Sequence, residues 1–176
     1  MLLKRAADFL GLSRPLYRPA QPMPPTLLMT EACMKALRIS FEPETRKQHE
    51  GVAYLFGLTN GTVTLAASVF RPRARTSRGS FEVDTKAMAA CVRAAARHRL
   101  QIVAQVHTHP AGAYHSDGDV EGARIRYPGY ASIVLPDYGD RLPSLDGAAV
   151  YFFSRGGEWI DLKVSAVTIV PGFCNG

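Results

Sequence analysis

Long apolar runs are missing from this 176-residue sequence, and so is a cysteine framework. No run reaches the ~18 apolar residues that a bilayer-spanning helix needs, so the sequence predicts no membrane segment. The three cysteines are odd in number and widely spaced, which argues against a disulfide scaffold and favours a reducing compartment. Asp8 interrupts what would be the apolar core of a signal peptide, and we therefore expect a cytoplasmic protein.

Acidic residues are also in short supply. The chain has 21 Lys and Arg against 15 Asp and Glu, which gives a net charge of +6 and indicates a possible acidic partner. The densest basic group is Arg71, Arg73, Arg75 and Arg78, which is typical either of a solvated or flexible arm or of a docking surface for an acidic protein. No aromatic residues are interleaved with these arginines, so we expect no nucleic-acid partner.

What is present is the composition of one globular domain, with 47% hydrophobic and 20% charged residues. Leu2–Leu12 has the apolar period of a short amphipathic helix, and Pro15–Pro25 predicts a stiff, extended tether. We therefore divide the chain into an N-terminal amphipathic segment with a Pro-rich linker at 1–25, a candidate site for a partner, and a folded domain at 26–176.

The first half of that domain predicts a helix and a hairpin. Thr26–Ser40 has a helical apolar pattern, with Thr30 capping its main part and an end before Pro43. Two stretches rich in strand-forming residues, Val52–Leu58 and Thr62–Phe70, flank the turn signal Asn60-Gly61 and predict a β-hairpin.

The second half predicts one long helix among several strands. Asp84 caps a helix that runs to Leu100, and its expected buried stripe is Ala87, Met88, Cys91, Val92, Ala95 and Ala96. A short helix is expected after Asp119, and strands are expected at Ile102–Val106, Tyr130–Leu135, Ala148–Ser154 and within Trp159–Val170. This order predicts an α/β or α+β domain with a mixed β-sheet flanked by helices.

The residues that carry chemistry follow the strand at 102–106. His107 and His109 have the i, i+2 spacing that points two side chains to one face of a strand, and Pro110 ends the strand. Ser116 and Asp119 follow at a Ser-x-x-Asp spacing. Two imidazoles and a carboxylate can hold Zn²⁺ and leave its fourth tetrahedral position open, which is typical of a catalytic site.

A family resemblance rests on these residues together with Glu50, which opens the segment Glu-Gly-Val-Ala-Tyr-Leu-Phe-Gly. Over about residues 26–170 the chain resembles the JAMM (MPN+, or JAB) zinc metalloproteases, whose motif is matched by His107, Thr108, His109, Pro110, Ser116 and Asp119. The resemblance implies an MPN/JAB (cytidine-deaminase-like) fold. It also implies that His107, His109 and Asp119 bind Zn²⁺, that Glu50 is the general base, and that Ser116 donates to the developing oxyanion.

One feature departs from the family pattern. The loop from Pro110 to His115 is one residue shorter than the usual spacing between the second histidine and the serine. Asp117 or His115 could therefore replace Asp119 as the third ligand, although the intact Ser-x-x-Asp spacing favours Asp119. Loops tolerate a single deletion more readily than strands do.

The resemblance also implies an activity. Similar enzymes cleave amide bonds at the C-terminus of ubiquitin or a ubiquitin-like protein, in deconjugation or in precursor processing, and we expect a prokaryotic enzyme of this deubiquitinase type. Two alternatives stay open at this point. One is a noncatalytic MPN-type scaffold that only binds a partner, and the other is a zinc amidase or peptidase with a small or peptide substrate.

Overall fold

The structure, a computed structural model, describes residues 25–172. The elements in chain order are β1 (Thr26–Thr30), α1 (Glu31–Lys47), β2 (Val52–Thr59), β3 (Val63–Phe70), β4 (Arg75–Ser77), β5 (Ser80–Glu82), α2 (Thr85–Arg97), β6 (Gln101–Thr108), α3 (Asp117–Gly122), β7 (Ala131–Leu135), β8 (Ala149–Phe153), β9 (Trp159–Leu162) and β10 (Val167–Val170). The helix predicted for Leu2–Leu12, most of the tether and Cys174 lie outside the described residues. Within the described range, no helix combines the length and apolar character required to cross a membrane.

Eight strands form one mixed sheet in the order β10-β1-β3-β2-β6-β7-β8-β9. Strand β1 is parallel to both β10 and β3, and β6 is parallel to β7, while the remaining neighbours are antiparallel. The sheet separates two apolar clusters, because alternate residues of β2 face opposite sides. Leu55 belongs to the cluster that contains Phe41 of α1, and Tyr54 belongs to the cluster that contains Cys91 of α2. The predicted mixed sheet flanked by helices is confirmed.

The helix predicted for Thr26–Ser40 is wrong at both ends. Residues 26–30 form β1, and the helix begins at Glu31, where the Thr30 hydroxyl caps it by accepting from the Cys33 N–H at 3.1 Å. A short apolar run fits a strand and a helix equally well, and here its place between β3 and β10 decides for the strand.

The far end of α1 also differs from the prediction, because the helix runs through Pro43 to Lys47. Proline removes the hydrogen bond to the carbonyl of Ile39 four residues earlier. Ile39 is 70% exposed, so this turn of the helix faces solvent.

Asp84 caps α2 as predicted, by accepting from the Ala87 N–H at 2.7 Å. The buried stripe is narrower than expected. Ala87, Cys91 and Ala95, four residues apart, face the sheet, whereas Val92 is 51% exposed. The predicted stripe was too wide because it included the neighbouring arc of the helix.

Candidate metal centre

Strand β6 delivers His107 into the interior of the domain, where its side chain is fully buried. His107 pairs with Val52 of β2 in the sheet register. One residue further on, the Thr108 N–H donates to the Gly51 carbonyl at 3.1 Å, and the Gly51 N–H donates to the buried Thr108 hydroxyl at 2.8 Å. These two bonds hold Gly51, which follows Glu50, against Thr108, which lies between the two histidines.

Glu50 is held at this position from both sides. Its N–H donates to the Ser77 carbonyl at 2.7 Å, and Gly51 lies so close to the Phe41 ring that an added Cβ would come within 2.5 Å of it. The Glu50 side chain is buried, and burial raises the pKa of its carboxyl, while His109 lowers it in part. A raised pKa makes the carboxylate a stronger proton acceptor.

His109 lies just past the end of β6 and is fixed through its backbone. Its N–H donates to the Leu135 carbonyl at 2.9 Å, and its own carbonyl accepts from the Tyr138 N–H at 2.8 Å. The His107 and His109 rings lie 5.1 Å apart between centroids, and the two side chains reach one site, as the i, i+2 spacing predicts.

Asp119 reaches the same site from α3. Ser116 caps this short helix in a capping box, and the Ser116 N–H and hydroxyl donate to Oδ2 of Asp119 at 2.9 and 2.6 Å. With Oδ2 held in this way, Oδ1 is left to face His107. The structure thus gives Ser116 a role in orienting Asp119, and its predicted role as oxyanion donor stays a prediction.

The three side chains have the spacing of metal ligands. Nε2 of His107 lies 3.1 Å from Oδ1 of Asp119, and Nε2 of His109 lies 3.4 Å from Oδ2. Two ligand atoms about 2.1 Å from a tetrahedral zinc lie about 3.4 Å apart, so the separations fit such an ion. Nε2 of His107 is also buried and lacks a hydrogen-bond partner of good geometry in residues 25–172.

The charge states of His107 and Asp119 agree with this fit. Burial lowers the pKa of His107, which keeps the ring in the neutral form that metals bind. Contact with Asp119 raises the pKa of His109. Burial alone would raise the pKa of Asp119, but contacts with His107, His109 and Ser116 outweigh it and hold this pKa below its ordinary range. The carboxylate is therefore charged and available to a divalent cation.

Of the two alternative third ligands, neither joins the cluster of metal-capable side chains found among the described residues. Asp117 is exposed at the start of α3. His115 stacks on Tyr151 with 3.7 Å between ring centroids, and its Nε2 lies 2.8 Å from the Ser132 hydroxyl. The backbone N–H of His115 donates to the Tyr151 hydroxyl at 3.1 Å. Burial lowers the pKa of His115 to about 4, so the ring is neutral at physiological pH.

These contacts make His115 the anchor that holds the shortened loop immediately before Ser116. We predict that His115→Ala lowers zinc affinity by about 10–100-fold, as does the loss of other groups that support a ligand. Competition for zinc against a chromophoric chelator measures the effect. His98→Ala, at the exposed end of α2, is the matched control and is expected to change nothing. An unchanged affinity in His115→Ala would show that the loop holds its shape without this anchor.

The cluster opens into a cleft with a volume of about 540 Å³. Glu50 and His109 lie in this cleft, with Phe81 of β5 on one wall and Gly118 of α3 on another. The sequence reasoning missed the β4–β5 hairpin, whose two-residue turn is Arg78-Gly79. The arginine-rich sequence predicts a solvated or flexible arm or a docking surface, and the alternation across a short turn is its only signal for a hairpin.

Two contacts place this hairpin beside the metal centre. Ser77 accepts from the Glu50 N–H, and the Arg78 carbonyl accepts from the Tyr138 hydroxyl at 3.1 Å. Two of the four arginines are in ion pairs: Arg71 with the buried Glu44 at 2.5 Å, and Arg75 with Glu82 at 2.6 Å.

Comparisons with known proteins agree with this geometry. Residues 36–141 match a family model described as prokaryotic homologs of the JAB domain. The chain is 25% identical over 154 residues to a probable metalloprotease, y4jG, of Sinorhizobium fredii, covering 81% of this chain and 91% of that protein. That relative carries no substrate in its name.

Two solved structures share the fold. The solution structure of protein DSY2949 from Desulfitobacterium hafniense superposes with a TM-score of 0.60 at 12% identity, covering 83% of this chain and 94% of that one. A protein from Salinibacter ruber superposes with a TM-score of 0.51 at 18% identity, covering 77% of this chain and 88% of that one. At these identities the likeness concerns the fold alone.

Proposed function

Because this chain belongs to the prokaryotic homologs of the JAB domain, we propose that it is a zinc-dependent peptidase or isopeptidase. Its substrate would be an amide bond at the C-terminus of a ubiquitin-like protein, in a conjugate or a precursor. One observation carries the proposal: a buried carboxylate, Glu50, lines the same cleft as His109 and Asp119, which with the buried His107 form a cluster of metal-ligand spacing. Cys33 and Cys91 are buried free thiols, which suits the cytoplasm.

The residues divide the work of amide hydrolysis. When bound by His107, His109 and Asp119, Zn²⁺ supplies Lewis acidity towards a carbonyl and towards water. The Glu50 carboxylate accepts a proton from the attacking water and delivers it to the amine nitrogen of the leaving group. Ser116 keeps Asp119 oriented, and its hydroxyl would donate to the developing oxyanion by exchanging its hydrogen bond to Asp119 for one to the substrate.

The shape of the cleft supports a C-terminal tail as substrate. Gly79, Gly118 and Gly122 line it, so at these three positions no side chain obstructs a main chain that enters in extended form. Strand β5 pairs only with β4 within residues 25–172, which leaves its other edge available to an added strand. Backbone pairing there would hold the tail with its scissile bond near Glu50.

We predict that the zinc-loaded full-length chain releases a C-terminal extension fused to a ubiquitin-like protein, with a cut after the last tail residue. Mass spectrometry of the products measures the site of cleavage. The matched control is the isolated tail peptide with the same extension, which lacks the folded body and is expected to react at least about tenfold more slowly, since it loses contacts away from the reacting bond.

Each of the other outcomes would indicate a different function for this protein. Equal rates on the two substrates would favour a zinc peptidase for small substrates. A chain that binds zinc but cleaves neither substrate would contradict the enzymatic proposal and leave a binding scaffold. Removing zinc with a chelator is expected to abolish cleavage, and adding zinc back is expected to restore it.

A further inference from the structure

A second concave surface lies beside the C-terminal half of α2 and is separate from the metal centre. It encloses about 410 Å³, and no residue that lines it also lines the cleft. Its walls are mainly apolar and come from α2, the start of β6 and the segment after α3, through Val92, Ala95, Ala96, Leu100, Ile125 and Tyr127. We call this surface the α2 groove.

The α2 groove has the surface pattern that receives a helix. Val92, Ala95 and Ala96 lie at i, i+3 and i+4 of α2 and so share one side of the helix, where Val92 and Ala96 are exposed and Ala95 is buried. Val92 is 51% exposed, which leaves a large apolar side chain in solvent. The two alanines are small enough to let a partner's backbone approach closely. An amphipathic helix would bury Val92 and fill the space beside the alanines.

Charge narrows the choice of partner. The wall segments 91–102 and 125–127 contain four arginines and no acidic residue, and all four are exposed: Arg93, Arg97, Arg99 and Arg126. Arg126 donates to backbone carbonyls at the end of α3. The other three form no ion pair with any residue in the range 25–172.

We propose that the α2 groove binds an amphipathic helix of a partner protein, with apolar residues on its inner face and Asp or Glu along its flanks. The apolar face would bury Val92, and the acidic flanks would neutralise the arginines. This interaction goes beyond the peptidase function, since it involves neither the metal ligands nor Glu50.

Other occupants fit less well. Residues 1–24 of the chain carry Lys4, Arg5, Arg14 and Arg18 against Asp8 alone, so they would bring positive charge to a positive rim. A second copy of the same groove would repel the first for the same reason. Single-stranded nucleic acid stacks on aromatic rings, and Tyr127 is the one aromatic residue in the wall. The Tyr127 hydroxyl donates a hydrogen bond to the Ile102 carbonyl, which ties this ring to the protein.

The test uses isotope-labelled full-length protein and three synthetic amphipathic peptides of about 18 residues, long enough for five helical turns. The first has a leucine face and glutamate flanks, the second has lysine in place of glutamate, and the third has glutamine in place of leucine. We expect the first alone to give saturable shifts of the amide signals of 92–102 and 125–127 below ~1 mM, and to weaken as salt is added.

Two variants of the protein give a matched pair. Val92→Asp is expected to lower the affinity for the leucine-glutamate peptide by about tenfold or more, because it places a charge in the apolar contact. Ile39→Asp changes an equally apolar residue that is 70% exposed on α1, and it is expected to leave the affinity unchanged. Both residues are on the surface, so both variants are expected to fold.

Several results would overturn the proposal. These are an absence of saturable shifts, equal binding of the lysine peptide, or an equal loss of affinity in Ile39→Asp. Tighter binding of a single-stranded uridine oligonucleotide at the same amides would identify a nucleic-acid surface instead. Nuclear Overhauser contacts between Val92 and residues 2–10 in the free chain would show that its own N-terminal segment fills the groove.

Discussion

Replacing Glu50 with glutamine is expected to reduce kcat by about 10²–10⁴, which corresponds to about 3–5 kcal/mol of transition-state stabilisation. The amide has nearly the same size as the carboxylate, so the buried site keeps its packing. It cannot accept the proton, and hydrolysis loses its general base. Zinc content should stay at about one ion per chain, because Glu50 lies outside the cluster of ligand-capable side chains.

Glu44→Gln is the matched control for this experiment. Glu44 is as buried as Glu50, at 7% exposure for each residue, but it pairs with Arg71 away from the cleft. We expect Glu44→Gln to lower the free energy of unfolding and to leave kcat unchanged, since it removes the charge opposite Arg71. A Glu50→Gln enzyme that kept more than about a tenth of its kcat would exclude Glu50 as the base, and one that lost zinc would make it a ligand instead.

Short-range spacing in the sequence was enough to predict much of this site. A strand that ends in His-x-His must present both imidazoles to one face, and the structure brings the two histidines together. Ser116 and Asp119 obey an equally local rule. A capping box requires a three-residue spacing within the first turn of a helix, so a deletion earlier in the loop does not disturb it.

The parts that sequence reasoning missed depend on residues far apart in the chain. Thr26–Thr30 is a strand because β3 and β10 pair with it on either side, and nothing within the segment decides this. The position of His115 depends on Tyr151 and Ser132, which arrive from β8 and β7. The β4–β5 hairpin lies beside Glu50 through a backbone bond to Ser77, which no side-chain pattern reports.

Removing the carboxylate of Asp119 is the change expected to affect metal binding most. Zinc sites with three or four ligands bind with a total free energy of about 10–16 kcal/mol, or roughly 3–4 kcal/mol for each ligand, so Asp119→Ala should lower zinc affinity by about 10²–10³. Asp119→Asn keeps the volume of the side chain, and its neutral amide is expected to bind zinc almost as poorly. Elemental analysis of dialysed protein and competition with a chelator measure both effects.

Asp117→Ala is the control, because Asp117 lies in the same helix two residues earlier and is exposed. It should keep zinc with unchanged affinity. The comparison decides between the two registers that the shortened loop allows. Zinc that survives Asp119→Ala but is lost with Asp117→Ala would mean that the loop shifts by half a turn when metal binds. The Ser116 cap holds Asp119 through two hydrogen bonds, and such a shift would have to break both. We therefore expect Asp119, whose position keeps these bonds, to be the third ligand.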